Sequence, residues 1–118
     1  MLRRRHVVFV AFPDVQVLDV TGPLEVFGRT ARLLVERGLR RDLAYSVEIV
    51  AATAGPIETS SGIKIVADRR FHDVRNNVDT LLVAGGRGAR AAAQDVALCK
   101  WLARMAPRVP CMPSMSWP

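Results

Sequence analysis

Two short stretches of this 118-residue chain hold residues that could do chemistry. Asp19 stands in Val17-Leu-Asp-Val20, just ahead of Thr21-Gly-Pro23, and Gly85-Gly-Arg-Gly88 lies between an apolar run and an alanine-rich one. A carboxylate at a strand end can cap the helix that follows, or exchange a proton with a group across a crevice. A glycine-rich turn lets the backbone bend sharply and present N–H groups to an anion or a developing oxyanion; it serves equally as a tight connection. The turn lacks G-x-G-x-x-G and the lysine of a P-loop, so it is expected to bind neither a dinucleotide nor a nucleoside triphosphate. No cofactor is expected. Asp14 and Glu25 read as exposed cap or dipole acids, and His6 and His72, without an acid and nucleophile at suggestive spacing, as structural or surface residues.

The two cysteines add little. Cys99, on what reads as the apolar side of the last helix, is expected to be a small buried hydrophobe. Cys111 sits between Pro110 and Pro113, a setting that suits neither a central strand nor a strained nucleophile turn. Without C-x-x-C spacing or partner histidines, neither a disulfide nor a metal site is favoured.

These residues must be positioned by a framework, and the pattern supplies one. Residues 6–12 form a nearly continuous β-branched and aromatic run, as in a strand buried on both faces. A helix is predicted to start at Asp19 to Pro23, with Thr21 or Gly22 as cap and Pro23 in its first turn. It runs to about Arg37, buries Leu24, Phe27, Ala31, Leu34 and Val35, and stops at Gly38. Residues 45–52 form a second strand, 54–66 a small hairpin, 71–77 a polar connection with room for one helical turn, and 79–84 a third buried strand. One helix is predicted over residues 89–105, with Ala92, Val96, Leu98, Cys99 and Leu102 as its buried positions and Pro107 closing it. The order favours an α/β sandwich around a parallel sheet. In such sheets functional groups collect past the carboxyl ends of the strands, here in residues 12–23 and 84–88.

Composition bounds the function. Half of the residues are apolar and 24% charged, as in a soluble globular domain, and only 6% are aromatic, so aliphatic side chains must fill the core. No secretory signal or run of about 20 apolar residues is present, which points to a cytoplasmic protein without membrane partners. The net charge of +6 comes mainly from arginines scattered at element ends, without aromatic residues interleaved for base stacking. Solvated faces account for it better than nucleic-acid binding by this segment.

The motifs together carry a resemblance. Residues 12–27 (Phe-Pro-Asp-Val-Gln-Val-Leu-Asp-Val-Thr-Gly-Pro-Leu-Glu-Val-Phe), then Gly55-Pro56, Thr59-Ser-Ser-Gly62 and Asp79-Thr-Leu-Leu-Val-Ala-Gly-Gly86, resemble in order and spacing the DJ-1/PfpI, or class I glutamine amidotransferase-like, superfamily. More narrowly they resemble the N-terminal domain of bacterial GlxA-type regulators of the AraC family, and the isonitrile hydratases; residues 29–45 look more like the regulators. The resemblance implies a flavodoxin-like three-layer sandwich with a reactive cysteine at an elbow after the fourth strand. Asp19 matches the acid that pairs with that cysteine, and Gly85 and Gly86 the glycines whose amides face it. In ungapped register Ser116 replaces the cysteine and Pro118 the elbow glycine. Proline cannot adopt the glycine's geometry, and serine without a nearby base is a poor nucleophile.

The expectation is therefore a partial DJ-1/PfpI-like domain over residues 1–108, incomplete on its C-terminal side and not catalytic, and an atypical tail over residues 109–118. As an N-terminal ligand-sensing part of a regulator, it would take a small molecule near Asp19, Gly85 and Gly86. It would reach DNA only through a C-terminal domain absent here, and the full-length family implies a homodimer. A remnant of an isonitrile hydratase-like enzyme and a standalone binding or dimerisation module are the alternatives.

Overall fold

A computed structural model of the chain describes residues 3–112. Strand β1 (Arg5–Val10) leads into helix α1 (Val17–Glu36), then β2 (Tyr45–Ala51), the antiparallel hairpin of β3 (Gly55–Glu58) and β4 (Lys64–Ala67), and the two-residue β5 (Arg69–Arg70). A 3-10 turn at Phe71–Asp73 precedes β6 (Thr80–Val83), and α2 (Ala89–Ala93), α3 (Val96–Met105) and a 3-10 turn at Ala106–Arg108 follow it. The four-stranded sheet runs β5-β2-β1-β6 with every pairing parallel. This is the flavodoxin-like α/β arrangement expected, with β1 at the centre.

β1 is apolar throughout because both of its faces are covered. Val7 and Phe9 join Ala11, Val20, Leu24, Phe27, Ile57 and Leu82 on the α1 side; Val8 and Val10 join Val50, Phe71, Leu81, Leu98, Trp101 and Met105 on the α3 side. Successive strand residues point to opposite faces, so a run without polar interruptions is what a central strand between two helical layers needs.

Two helical expectations are corrected. α1 begins at Val17 rather than near Pro23, and its N-cap is Gln16, whose side chain makes no capping hydrogen bond. Asp19 thus lies in the first turn, while Pro23 lies in the second and Glu25 beyond it. Pro23 denies an N–H only to the carbonyl of Asp19, four residues back, so the helix continues through it. The stop is where the sequence put it: Gly38 adopts φ +73° and donates to the Val35 carbonyl at 3.0 Å. The single helix over residues 89–105 is in fact two. Asp95 breaks it by capping α3, its Oδ1 accepting from the Leu98 N–H at 3.2 Å. The break resets the helical phase, so Cys99 and Val96 are exposed and the unpredicted Trp101 is buried.

Val109 is buried, and Cys111 bridges to Thr80: the Leu81 N–H donates to the Cys111 carbonyl at 3.0 Å, and the Cys111 N–H to the Asp79 carbonyl at 3.2 Å. These residues therefore begin to pair along the outer edge of β6. Ser116 lies outside the described residues. Among the described residues, no helix is long and apolar enough to cross a membrane.

Two charged clusters tie the amino ends of the strands together. Asp79 accepts from the His6 N–H at 2.8 Å and from both terminal nitrogens of Arg3. Glu48 takes a two-pronged grip from Arg69, at 2.7 and 2.9 Å, and its Oε2 lies 2.5 Å from His6 Nε2. For Asp79 the Arg3 fork lowers the pKa against the opposing effect of burial. For Glu48 burial is the largest influence and raises it, yet Arg69 and His6 together outweigh burial and hold it low.

Both carboxylates thus titrate lower folded than unfolded. Their stabilisation is complete above the unfolded values of about 4.3 for Glu and 3.9 for Asp, and is lost as pH falls through the lower folded ones. A Glu48→Gln variant is expected to show an acid limb of stability shallower by roughly one proton than the parent's, in urea midpoints recorded from pH 7 to 3. Parallel limbs would show that Glu48 is not held ionised.

Candidate functional site

Three segments meet past the carboxyl ends of β1 and β6: residues 11–16, the glycine turn at 85–88, and the hairpin tip at 59–63. The hairpin grips the first loop through backbone pairs, Asp14 N–H to the Glu58 carbonyl at 2.9 Å and Ser60 N–H to the Val15 carbonyl at 3.0 Å. Thr59, 1% exposed, closes the hairpin by donating from its hydroxyl to the Ile63 carbonyl at 2.7 Å. The sequence reading did not place the hairpin at the site. The signal available was the Thr59-Ser-Ser-Gly62 stretch, which looks like an ordinary turn.

Asp19 and Gly85 are brought together, although 66 residues separate them. The Gly85 N–H donates to Asp19 Oδ2 at 3.0 Å, and the Gly85 carbonyl accepts from the Gln16 N–H at 2.9 Å. The half-buried Asp19 carboxylate therefore locks the start of α1 onto the end of β6. Such a bond to a charged acceptor is among the stronger ones available, and the acid also lies at the positive end of the helix dipole. Among the described residues Asp19 caps no N–H of its own helix; it accepts from one on another element, the glycine turn after β6.

The glycine turn is fixed from the same side. The Gly88 N–H donates to the Asp14 carbonyl at 3.1 Å, and Arg87 reaches Asp14 Oδ1 at 3.2 Å. Asp14 adopts φ +64°, in the left-handed region that aspartate tolerates better than most residues. Of the turn's four N–H groups, those of Gly85 and Gly88 are committed. Those of Gly86 and Arg87 have no partner among the described residues. Gly86, at φ +121°, passes so close to the first loop that a Cβ there would lie 2.4 Å from the Gln16 nitrogen. Of the two glycine amides singled out from the sequence, that of Gly85 is held by Asp19, while that of Gly86 has no partner among the described residues.

Neither cysteine belongs to this cluster. Cys111 pairs with Thr80, at the opposite end of β6 from Gly85, and Cys99 lies on the outer face of α3, its thiol 3.4 Å from the Ala93 carbonyl. His6 lies at the amino end of β1, and the exposed His72 stacks on Phe71 with ring centroids 4.5 Å apart. Among the described residues no three His, Cys, Asp or Glu side chains gather as a metal site would require.

Comparison with known proteins places this geometry. The chain is 32% identical over 81 residues, 69% of its length, to the uncharacterized protein in the cpoL 5' region of Streptomyces lividans. It spans 51% of that relative. Among solved structures, a ThiJ/PfpI family protein from Pseudomonas syringae superposes with a TM-score of 0.78 at 23% identity, over 96% of this chain and 42% of the other. A protein described as a candidate transcriptional regulator, from Vibrio parahaemolyticus, superposes with a TM-score of 0.72 at 16% identity, over 95% of this chain and 56% of the other. At these identities the superpositions establish the fold alone. The DJ-1/PfpI family model matches residues 5–109, nearly the whole sheet-and-helix framework, and the chain belongs to the DJ-1/PfpI family.

Proposed function

We propose that this chain is a non-catalytic ligand-sensing domain from an AraC-family regulator of the GlxA type, its small-molecule site lying at Asp19, Gly85 and Gly86. The observation that carries this reading is the clasp between Asp19 and the Gly85 N–H, set in a loop cluster that holds neither of the chain's cysteines. Asp19 there fixes geometry, while the unpaired N–H groups of Gly86 and Arg87 offer donors to a carbonyl or carboxylate on a ligand. A relative by fold described as a candidate regulator supports the same reading.

Two measurements test it. Translating the genomic region downstream is expected to reveal a helix-turn-helix domain. An intact elbow cysteine with the frame ending soon after the sandwich would turn the reading towards an isonitrile hydratase-like enzyme, and finding neither would sink it. Within the chain itself, Asp19→Asn is expected to cost about 1–2 kcal/mol in urea unfolding, because a charge-assisted bond becomes a neutral one about half as strong and a negative charge is lost from the first turn of α1. Amide resonances of Gly85 and Gly86 should shift most. An unchanged Gly85 amide would show that the clasp does not exist in solution.

A further inference from the structure

Four arginines that lie far apart in the sequence converge in space. A cavity of about 420 Å³ on the α3 side of the sheet is lined by Arg70, Arg75, Arg104 and Arg108, with Trp101 and Met105 on its apolar wall. Arg70 ends β5 and Arg75 lies in the connection after it, while the other two come from the end of α3 and the 3-10 turn beyond it. One acid, Asp73, is among the lining residues, and both of its oxygens are taken by Arg70, at 3.0 and 3.2 Å. Arg108 donates to the Arg75 carbonyl at 3.3 Å, tying the two elements together. Three guanidinium groups, those of Arg75, Arg104 and Arg108, are left without a carboxylate within ion-pair distance among the described residues. Lys100 and His72 continue the basic surface into the adjoining groove.

Placing cations near the carboxyl end of a helix suits its dipole, which accounts for Arg104 and for Arg108 in the turn that continues from it. It does not account for Arg75, which arrives from another element onto the same hollow. Like charges converging on a concave surface repel one another unless an anion sits between them. The wall beneath is rigid, since Trp101 and Met105 are each 2% exposed. Planar guanidinium forks match phosphate oxygens, and the hollow has the size of a small-molecule site rather than the breadth of a duplex groove.

We propose that this cavity binds a small ligand carrying two or more phosphate groups, held by Arg75, Arg104 and Arg108. The site is separate from the Asp19 loop cluster and does not depend on the function proposed for it.

The test is calorimetric titration of the 118-residue chain with inorganic triphosphate and with ADP, at constant ionic strength. Saturable binding of triphosphate is expected, weakened about tenfold or more in an Arg75→Gln/Arg104→Gln double variant, as loss of charged hydrogen bonds implies. An Arg41→Gln/Arg90→Gln variant, which removes the same charge from exposed positions outside the cavity, should bind like the parent. ADP binding more tightly than inorganic pyrophosphate, titrated alongside it as the diphosphate control, would make the ligand a nucleotide, and equal binding would leave the phosphates as the recognised group. Both lesions weakening binding equally would overturn the proposal, since net charge alone would then explain it. So would an absence of saturable binding, or preference for a 20-base-pair duplex over triphosphate at equal salt. All four arginines substituted are exposed, apart from the partial cover of the cavity, so matching melting curves should show that every variant folds.

Discussion

Replacing Gly88 with alanine is expected to cost about 3–5 kcal/mol, a large fraction of the roughly 5–15 kcal/mol that holds an average domain folded. The φ of Gly88, −80°, is one that any residue adopts, so the cost does not come from backbone preference. It comes from space. A Cβ at Gly88 would lie 1.9 Å from the Pro13 carbonyl oxygen and 3.1 Å from the Asp14 Cβ. The obstructing atom is backbone, in a loop pinned on its far side by the Asp14 bond to Glu58, so no side chain can swing aside. Relief requires the 85–88 turn to part from residues 13–16. That would give up the Gly88 bond to Asp14 and strain the Asp19 clasp on Gly85. Gly22→Ala supplies the contrast. Gly22 lies inside α1, and a Cβ there would meet nothing within 4 Å, so the same added methyl should stabilise by up to about 1 kcal/mol through helix propensity. Urea unfolding followed by far-UV circular dichroism separates the two. Gly88→Ala unfolding at the parent's midpoint would mean that the first loop and the glycine turn do not pack as described.

That contact also marks how far the sequence could be read. The central strand was legible because burial on both faces leaves a run with no polar interruption, and Gly38 because a helix ending in a left-handed residue favours glycine. Asp19, Gly85 and Gly86 could be singled out one by one from residue type and place. Their joining could not, since the bond from Gly85 to Asp19 spans 66 residues and depends on β1 and β6 lying side by side. The start of α1 was misplaced for the same reason: its first turn is held by tertiary bonds instead of a side-chain cap, so Thr21-Gly-Pro23 looked like the better beginning. The break at Asp95 was readable in principle, because aspartate favours the N-cap, but the alanine-rich stretch before it concealed the signal. Missing it put Cys99 inside and left Trp101 out of the core. The basic cavity was invisible because its arginines are spread from residue 70 to residue 108, and only the crossover between β5 and α3 brings them together.

Trp101 is where the second large effect is expected. It is 2% exposed, packs against Phe71 with ring centroids 5.4 Å apart, and joins Val8, Val10, Val50, Leu98 and Met105 in the core on the α3 side. Its indole N–H donates to the Val74 carbonyl at 2.8 Å, which fastens α3 to the connection after β5. Trp101→Ala removes the largest fully buried side chain from beneath a helix of only ten residues, and is expected to cost about 3–5 kcal/mol. Trp101→Phe separates the two contributions. It keeps most of the ring volume but orphans the Val74 carbonyl, so about 1–3 kcal/mol should be lost, most of it from the unsatisfied acceptor. Urea midpoints by far-UV circular dichroism measure both, and amide exchange at residues 74–76 reports whether the connection loosens. If phenylalanine costs as much as alanine, the hydrogen bond outweighs the packing; if it costs nothing, Val74 has no need of the indole. If even Trp101→Ala leaves the midpoint unmoved, α3 does not cover this face of the sheet, and the cavity formed against its last turns does not exist in solution.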